Sequence, residues 1–282
     1  MQWGQIKTIF IICFLALDIF LFTQYVNKQN QGDWEVISES TFEEQIEAEE
    51  IIIDDLPDVT EKAHYISARP HKYTEEEVSH LNQRGTYNIY NDELLIYEFQ
   101  QPIAIDDITN RETIIRKVND NVLYSNEYMF WGLNTDLNIL LFFQRYEDQP
   151  VYFNAGGMLL VFLNEDNEMV RYVQKMLDDI QIQGNEKEII KPIQAVEVLY
   201  ANNAVYSGDE ITDVVLGYHT LVPLTEGVQA FVPTWRVTIN RDRNYFVNAM
   251  ERQMISRDEN EFIEEIQQLI NEVESNWRSE EQ

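Results

Sequence analysis

Hydrophobic positions first fall into one unbroken block. From Ile9 to Phe22 the chain is apolar apart from Asp18. That strict core, about 14 residues, has the length of a signal-peptide h-region. Counted from Ile6 to Val26, with Lys7 snorkelling toward the headgroups, it becomes about 21 residues and about 31 Å of helix, which matches a bilayer core. The following Tyr25-Val26-Asn27-Lys28-Gln29-Asn30 offers no small-x-small cleavage site. The pattern predicts a retained signal anchor over 6–26 behind a short cytoplasmic segment, 1–5. Lys7, the α-amino group and an interfacial Trp3 ahead of a long C-terminal region give N-inside, C-outside topology. Residues 27–40 are polar and read as a tether.

Mixed periods follow. Thr41 with Glu44 and Thr74 with Glu77 have capping-box spacing and predict short helices to about Glu49 and Asn82. Ile51–Ile53, His64–Ser67, Tyr87–Tyr90 and Leu94–Phe99 read as extended, the last two as a hairpin about Asn91-Asp92-Glu93. A helix over 106–122 closes a first unit. Leu137–Tyr146, Val151–Phe153 and Met158–Leu163 read as strands, with Ala155-Gly156-Gly157 as a turn. Helical spacing of Met169, Val173, Met176, Leu177 and Ile180 predicts a helix from about Asn167 to Ile180. Pro192 opens another, with Ile193, Val196, Leu199 and Tyr200 as its stripe. Val214–Val222, Val228–Ile239 and Tyr245–Ala249 read as strands. Glu259–Trp277 is amphipathic, with Phe262, Ile266, Leu269, Ile270 and Val273 on one side. The expected fold class is α+β: an N-terminal transmembrane helix, then two extracytoplasmic α+β domains with antiparallel sheets, 41–135 and 136–253, and an acidic amphipathic C-terminal helix over 254–282.

Composition narrows the chemistry. Cys13, inside the apolar block, is the only cysteine among 282 residues, so no disulfide framework, thiolate zinc site or cysteine nucleophile is available outside it. Fifty acidic against twenty basic residues give a formal charge of −30, which argues against nucleic acid and against an electrostatic grip on anionic lipid or wall polymers. His64, His71, His80 and His219 fit no metal-ligand pattern, and His71 and His80, nine apart, read as ordinary surface histidines. No GxSxG elbow, Walker loop, SxxK or dinucleotide fingerprint occurs. Asp54-Asp55, Asp106-Asp107 and Asp178-Asp179 lack EF-hand spacing. Paired carboxylates for glycoside hydrolysis have no positive signal. The expectation is a protein that is not an enzyme, with no cofactor and no metal.

Two constellations remain. A carboxylate within an apolar helix costs several kcal/mol unless hydrated, neutralised or paired. Asp18 shares its helical face with Ile11, Phe14, Leu15, Leu21, Phe22 and Tyr25, at spacings of three, four and seven. Either Asp18 is hydrated at the outer headgroups, or this face meets another transmembrane helix. The second constellation is a hairpin in which Trp235, Val237 and Ile239 share one face and Tyr245 and Val247 pair with it, Leu216-Gly217-Tyr218 lying on a preceding strand. Trp235 itself reads as core.

The opening Met1-Gln2-Trp3-Gly4-Gln5-Ile6-Lys7-Thr8-Ile9-Phe10-Ile11, with Leu17-Asp18-Ile19-Phe20-Leu21, closely resembles the start of the YycI family. Leu216-Gly217-Tyr218, Pro233-Thr234-Trp235 and Tyr245–Ala249 resemble its C-terminal portion. The resemblance runs to about Ala249, and nothing after about Met254 matches a motif. It implies a single-pass regulator of the essential cell-wall two-component system of low-GC Gram-positive bacteria. Its partners would be a YycH-type companion and a membrane sensor histidine kinase of the WalK/YycG type, met largely through transmembrane helices. The alternative is an extracytoplasmic sensor that captures a wall fragment or peptide in a groove lined by Tyr128, Phe130, Trp131 and Tyr152.

Overall fold

The structure, a computed structural model, describes residues 3–30, 35–58, 62–221, 227–256 and 259–280. Contacts divide the chain into two compact units, residues 1–52 with 206–209, and residues 53–205 with 210–282.

The first unit is helical, with α1 over Trp3–Asn30 and α2 over Glu35–Ala48. Helix therefore enters both ends of the expected 27–40 tether. Thr41 lies inside α2 and not at its cap. The stretch from Glu35 to Glu44 contains no glycine or proline to stop a helix, so the Thr-x-x-Glu spacing there marks no boundary. After α2 a turn leads to β1, Ile52–Ile53. Residues 206–209 are held to this unit by bonds from the Gly208 amide to the Glu49 carbonyl and from the Ile52 amide to the Asp209 carbonyl, each 2.9 Å.

The second unit is mixed α+β. In chain order it contains β2 (Lys62–Pro70), α3 (Glu75–Val78), β3 (Gly85–Tyr90), β4 (Leu94–Ala104), α4 (Arg111–Asn119), β5 (Tyr128–Asn134), β6 (Ile139–Tyr146) and β7 (Gln149–Tyr152). There follow β8 (Met158–Leu163), β9 (Glu168–Lys175), β10 (Leu177–Glu188), α5 (Pro192–Ala201), β11 (Glu210–Thr220), β12 (Gln229–Ile239), β13 (Arg243–Asn248), β14 (Gln253–Ile255) and α6 (Glu259–Glu280). The Thr74–Glu77 capping box forms, with the Glu77 amide donating to Thr74 Oγ1 and the Thr74 amide to Glu77 Oε2. Asn91 and Asp92 turn the β3–β4 hairpin with φ of 50° and 60°, which Asn and Asp tolerate best after glycine. The helix expected over 106–122 begins only at Arg111. Asp107 Oδ1 first accepts the Thr109 amide in an Asx turn, and Asn110 then caps the helix.

The strands follow the order β10-β2-β12-β11-β7-β6-β8-β9-β4-β3, with β13 beside β12, β14 beside β13 and β5 beside β6. Apart from β7 with β11, these pairings in the second unit are antiparallel. The short β7 thus joins two half-sheets. The chain interleaves between them, because β2 enters one half and β3–β6 the other. The boundary expected at 135/136 falls in the tight connection between β5 and β6, whose ends pair as Asn134↔Ile139.

The expected helix over 167–180 is instead β9 and β10. β9 lies between β8 and β4, so both its edges are paired, and core packs on both its faces. Tyr172 joins the core on one face and Val173 the core on the other. Leu177 belongs to a third cluster, which Ile180 packs against, in the other half-sheet. The chain's crossing between half-sheets at Met176 thus imitates a helical period. Val170, Tyr172, Val173, Ile180 and Ile182 supply the β-branched and aromatic residues that favour strand.

The central strands carry core on both faces, which explains their uninterrupted apolar runs. Leu95, Leu140, Phe142, Leu159 and Val161 pack under Val78, Ile114 and Val118 of α3 and α4. Leu94, Ile96, Leu141, Phe143 and Leu160 face the other way, toward Phe153, Phe246, and Phe262 and Ile266 of α6. At the β7–β11 seam a Cβ on Gly217 would lie 2.5 Å from the Tyr152 ring and 2.6 Å from the Pro150 carbonyl oxygen. Only glycine allows that approach.

Gly217→Ala should therefore lower the stability of the protein by about 1–3 kcal/mol. Gly132→Ala, where an added Cβ meets nothing within 4 Å, should change it by less than about 0.5 kcal/mol. Urea unfolding followed by tryptophan fluorescence measures both.

Candidate functional site

The face around Asp18 is open. Phe10, Ile11, Ile12, Phe14, Leu15, Leu17, Ile19, Phe20, Leu21 and Phe22 are all 50–66% exposed, although such side chains seek burial. They surround the helix on every side. Asp18 is exposed among them, with Ile11, Phe14, Leu15, Leu21 and Phe22 within about 60° of it around the axis. The side chain of Tyr25 lies outside the described residues. Among the described residues no helix is long and apolar enough to cross a membrane; in α1 the continuously described side chains are those of Phe10–Phe22.

The hairpin residues come together as expected. Trp235 opposes Val247, and Val237 opposes Tyr245. Leu216 lies across from Trp235 on the other side. Trp235, Val237, Ile239 and Val247 are buried, and the Trp235 indole N–H donates to the Ile190 carbonyl at 2.9 Å. The cluster is a core element that seats α5 against β12 and β13.

The four aromatics suggested for a ligand groove do not share one. Tyr128 and Phe130 pack with the α3–α4 core, whereas Trp131 and Tyr152 belong to the opposite face. Strand alternation alone separates Phe130 from Trp131. Trp131 has a more specific role. Its ring stands 5.2 Å from Phe143 and 5.4 Å from Phe153, and its indole N–H donates to Glu259 at the start of α6 at 3.0 Å. The Arg236 guanidinium lies 5.4 Å from the centre of the ring and also pairs with Asp213. A cavity of about 570 Å³ opens beside them, also lined by Asn134, Arg241 and Asp242. Three carboxylates, Asp213, Asp242 and Glu259, and two guanidiniums, Arg236 and Arg241, line it together. Arg236 was legible as part of the Pro233–Ile239 strand, but its partners Trp131 and Asp213 come from two other elements, β5 and β11, that the sequence does not bring together.

His71 is no ordinary surface histidine. Its Nε2 lies 2.9 Å from Glu77 Oε1, its Nδ1 lies 3.2 Å from Asp178 Oδ2, and Tyr73 meets its ring edge-on at 4.9 Å. The ring ties the loop after β2 to α3 and to β10. Burial pushes the Glu77 carboxyl up, but hydrogen bonds from Tyr124, His71 and the Thr74 amide outweigh burial and hold it below the ordinary range. The Asp179 amide, then His71, hold Asp178 low as well. Burial, reinforced by Glu77, raises Tyr124 to about 12. Among the described residues no group of three or more His, Cys, Asp or Glu side chains is placed to hold a metal ion.

The second unit defines a mixed α+β protein built on one large, mainly antiparallel sheet. The model of the YycI family, described as YycI protein, matches residues 31–250, and the chain belongs to that family. The N-terminal residues that resemble the family's opening lie before the matched region. Among curated proteins none matches. Among solved structures, an uncharacterized protein from Eubacterium rectale ATCC 33656 aligns at 10% identity and a TM-score of 0.44, covering 73% of this chain and 89% of that one. YycH from Bacillus subtilis aligns at 12% identity and a TM-score of 0.39 over 70% of this chain. This chain spans 54% of that YycH structure. The YpeB C-terminal domain of Bacillus megaterium aligns at 13% identity and a TM-score of 0.40, covering 65% of this chain and 96% of that domain.

The His71 clamp sets an acid dependence. Both carboxyls titrate below their unfolded values, so their contribution is complete above about pH 5 and is lost as pH falls through the lowered native values. His71→Leu should cost about 1 kcal/mol at neutral pH. It should also flatten the fall in stability between about pH 5 and about pH 2, because Glu77 and Asp178 then titrate closer to their unfolded values. Denaturant unfolding at stepped pH reads both effects.

Proposed function

We propose that this YycI-family protein is a non-enzymatic, membrane-anchored accessory regulator of a sensor histidine kinase. It acts beside a YycH-type companion, with its N-terminus cytoplasmic and its sheet outside the cell. The observation that carries the reading is the Phe10–Phe22 stretch of α1, exposed and apolar around the helix apart from Asp18. A helix of that kind belongs either in a protein core or in lipid. Extending its apolar run by sequence from Ile6 to Val26 gives about 31 Å, the thickness of the hydrocarbon layer. The side chains at positions 6, 8, 9 and 23–26 in that extension lie outside the described residues. Family membership and the lack of any recognisable reaction centre in the sequence support the same reading.

The mechanism is a packing bias. A sensor kinase moves between signalling states that differ by small helix displacements. A neighbouring helix that packs better against one state shifts the population toward it. A differential of about 1–2 kcal/mol moves the ratio about five- to thirty-fold. A few van der Waals contacts and one interhelical hydrogen bond from Asp18, worth about 1 kcal/mol, supply that amount. Ile11, Phe14, Leu15, Leu21, Phe22 and Tyr25 form the contact face, and the second unit holds the complex together.

Kinase autophosphorylation in reconstituted vesicles tests the reading. Replacing residues 6–26 with an unrelated apolar helix should abolish regulation while leaving the outer unit folded; unchanged kinase output in that chimera overturns the proposal. Asp18→Leu should weaken co-purification with the kinase or shift its activity by about fivefold or more. Full retention of both would assign Asp18 to a hydrated position at the membrane surface.

A further inference from the structure

One cavity of the second unit carries a charge sign opposite to the chain as a whole. It encloses about 730 Å³, a size typical of small-molecule sites. Arg69 from the end of β2, Lys72 from the loop after it and Lys175 from the end of β9 line it, against the single carboxylate of Glu93. Its apolar lining comes from Tyr90, Val228 and Leu269 of α6. In a chain of formal charge −30, three cations from separate elements around one partly apolar hollow stand out from the surrounding surface.

The pairing pattern shows which of these cations are available. Lys175 Nζ lies 3.8 Å from Glu93, so this pair is internally compensated. Among the described residues neither Arg69 nor Lys72 has a carboxylate partner. Asp178 sits across the β2–β10 ladder from Arg69, but its carboxylate is engaged by His71 and by the Asp179 amide. Two cations without a carboxylate partner among the described residues, at the rim of a partly apolar hollow, are complementary to an oxyanion carried on an apolar group. The Arg69 guanidinium can take two oxygens of a carboxylate or phosphate side by side, and Lys72 adds a point charge.

We propose that this cavity is a binding site for a small amphipathic oxyanion, a carboxylate or phosphate borne on an aliphatic or aromatic group. The site is independent of the membrane anchor and of kinase contact.

Calorimetric titration of the full-length protein in detergent with phenyl phosphate, and separately with N-acetyl-leucine, tests this assignment. N-acetyl-leucine amide serves as the neutral control. At least one anion should bind saturably, and the amide should not. Binding by only one probe identifies the ligand as a phosphate or as a carboxylate. The double variant Arg69→Glu, Lys72→Glu should weaken binding at least about tenfold, as expected for losing one charged hydrogen bond. Raising the salt about tenfold should also weaken it, because the rim is solvent-accessible. Arg241→Glu, beside the other cavity, should leave the affinity unchanged. Both altered residues of the double variant are exposed, and an unchanged circular dichroism spectrum confirms its fold. The proposal fails if neither anion saturates below about 10 mM, or if binding survives the double charge reversal.

Discussion

The parallel contact between β7 and β11 is the constraint on which the second unit depends. Val151 lies beside Tyr218 and Tyr152 beside His219, and through these few residues two antiparallel half-sheets become one. The join is dry, since Val151 and Tyr152 are fully buried. It is also tight, because the Tyr152 ring and the Pro150 carbonyl occupy the space that any side chain at position 217 would need. Everything that packs on Tyr152 inherits its position from this seam. Phe246 touches it directly at 5.0 Å, and Phe262 follows through Phe153. The seating of α6, and with it the Trp131–Glu259 bond, is therefore a consequence of how closely two strands approach.

Much of this was legible in the sequence where one element buries one face. The stripe on α5, the alternation of Trp235, Val237 and Ile239, and the Asn91-Asp92 turn each follow from a local rule. The stretch 167–180 was misleading because its apolar residues serve three different cores. Spacing along a chain records which positions are buried, but not against what. The same limit applies to Tyr128, Phe130, Trp131 and Tyr152, which look like one aromatic group until strand alternation sends them to opposite sides of the sheet. His71 was unreadable for a related reason: Glu77 is six residues away, but Asp178 arrives from a strand more than a hundred residues later. The three basic residues Arg69, Lys72 and Lys175 around one cavity likewise come together only in the fold. The acidic composition alone could only say that such a cluster would be unusual.

Charge is arranged with more discrimination than the total suggests. The acidic residues mostly face water, where they keep the chain soluble and repel like-charged surfaces. At Arg236 and Lys175 individual carboxylates instead face a cation from a different element, and at His71 two carboxylates meet one ring, so part of the negative charge fixes tertiary geometry. Arg69 and Lys72 remain outside this compensation among the described residues. The molecule thus combines a strongly acidic composition with a local cluster of basic side chains at this cavity.

The position of β2 imposes an order on synthesis. Ile66 is hydrogen-bonded in the sheet between Ile182 on one side and Phe231 on the other. A nascent chain that has emitted β2 waits for β10, and then for β12, before both edges are satisfied. At ordinary elongation speeds of about 5–20 residues per second, the wait for β12 is on the order of ten to thirty seconds. Throughout that interval a strand bearing Ile66 and Ala68 presents open amides and carbonyls, the usual template for wrong partners. The ribosome must therefore release nearly the whole polypeptide before the sheet can close, and whatever holds the growing chain during that time becomes part of how this protein reaches its native state.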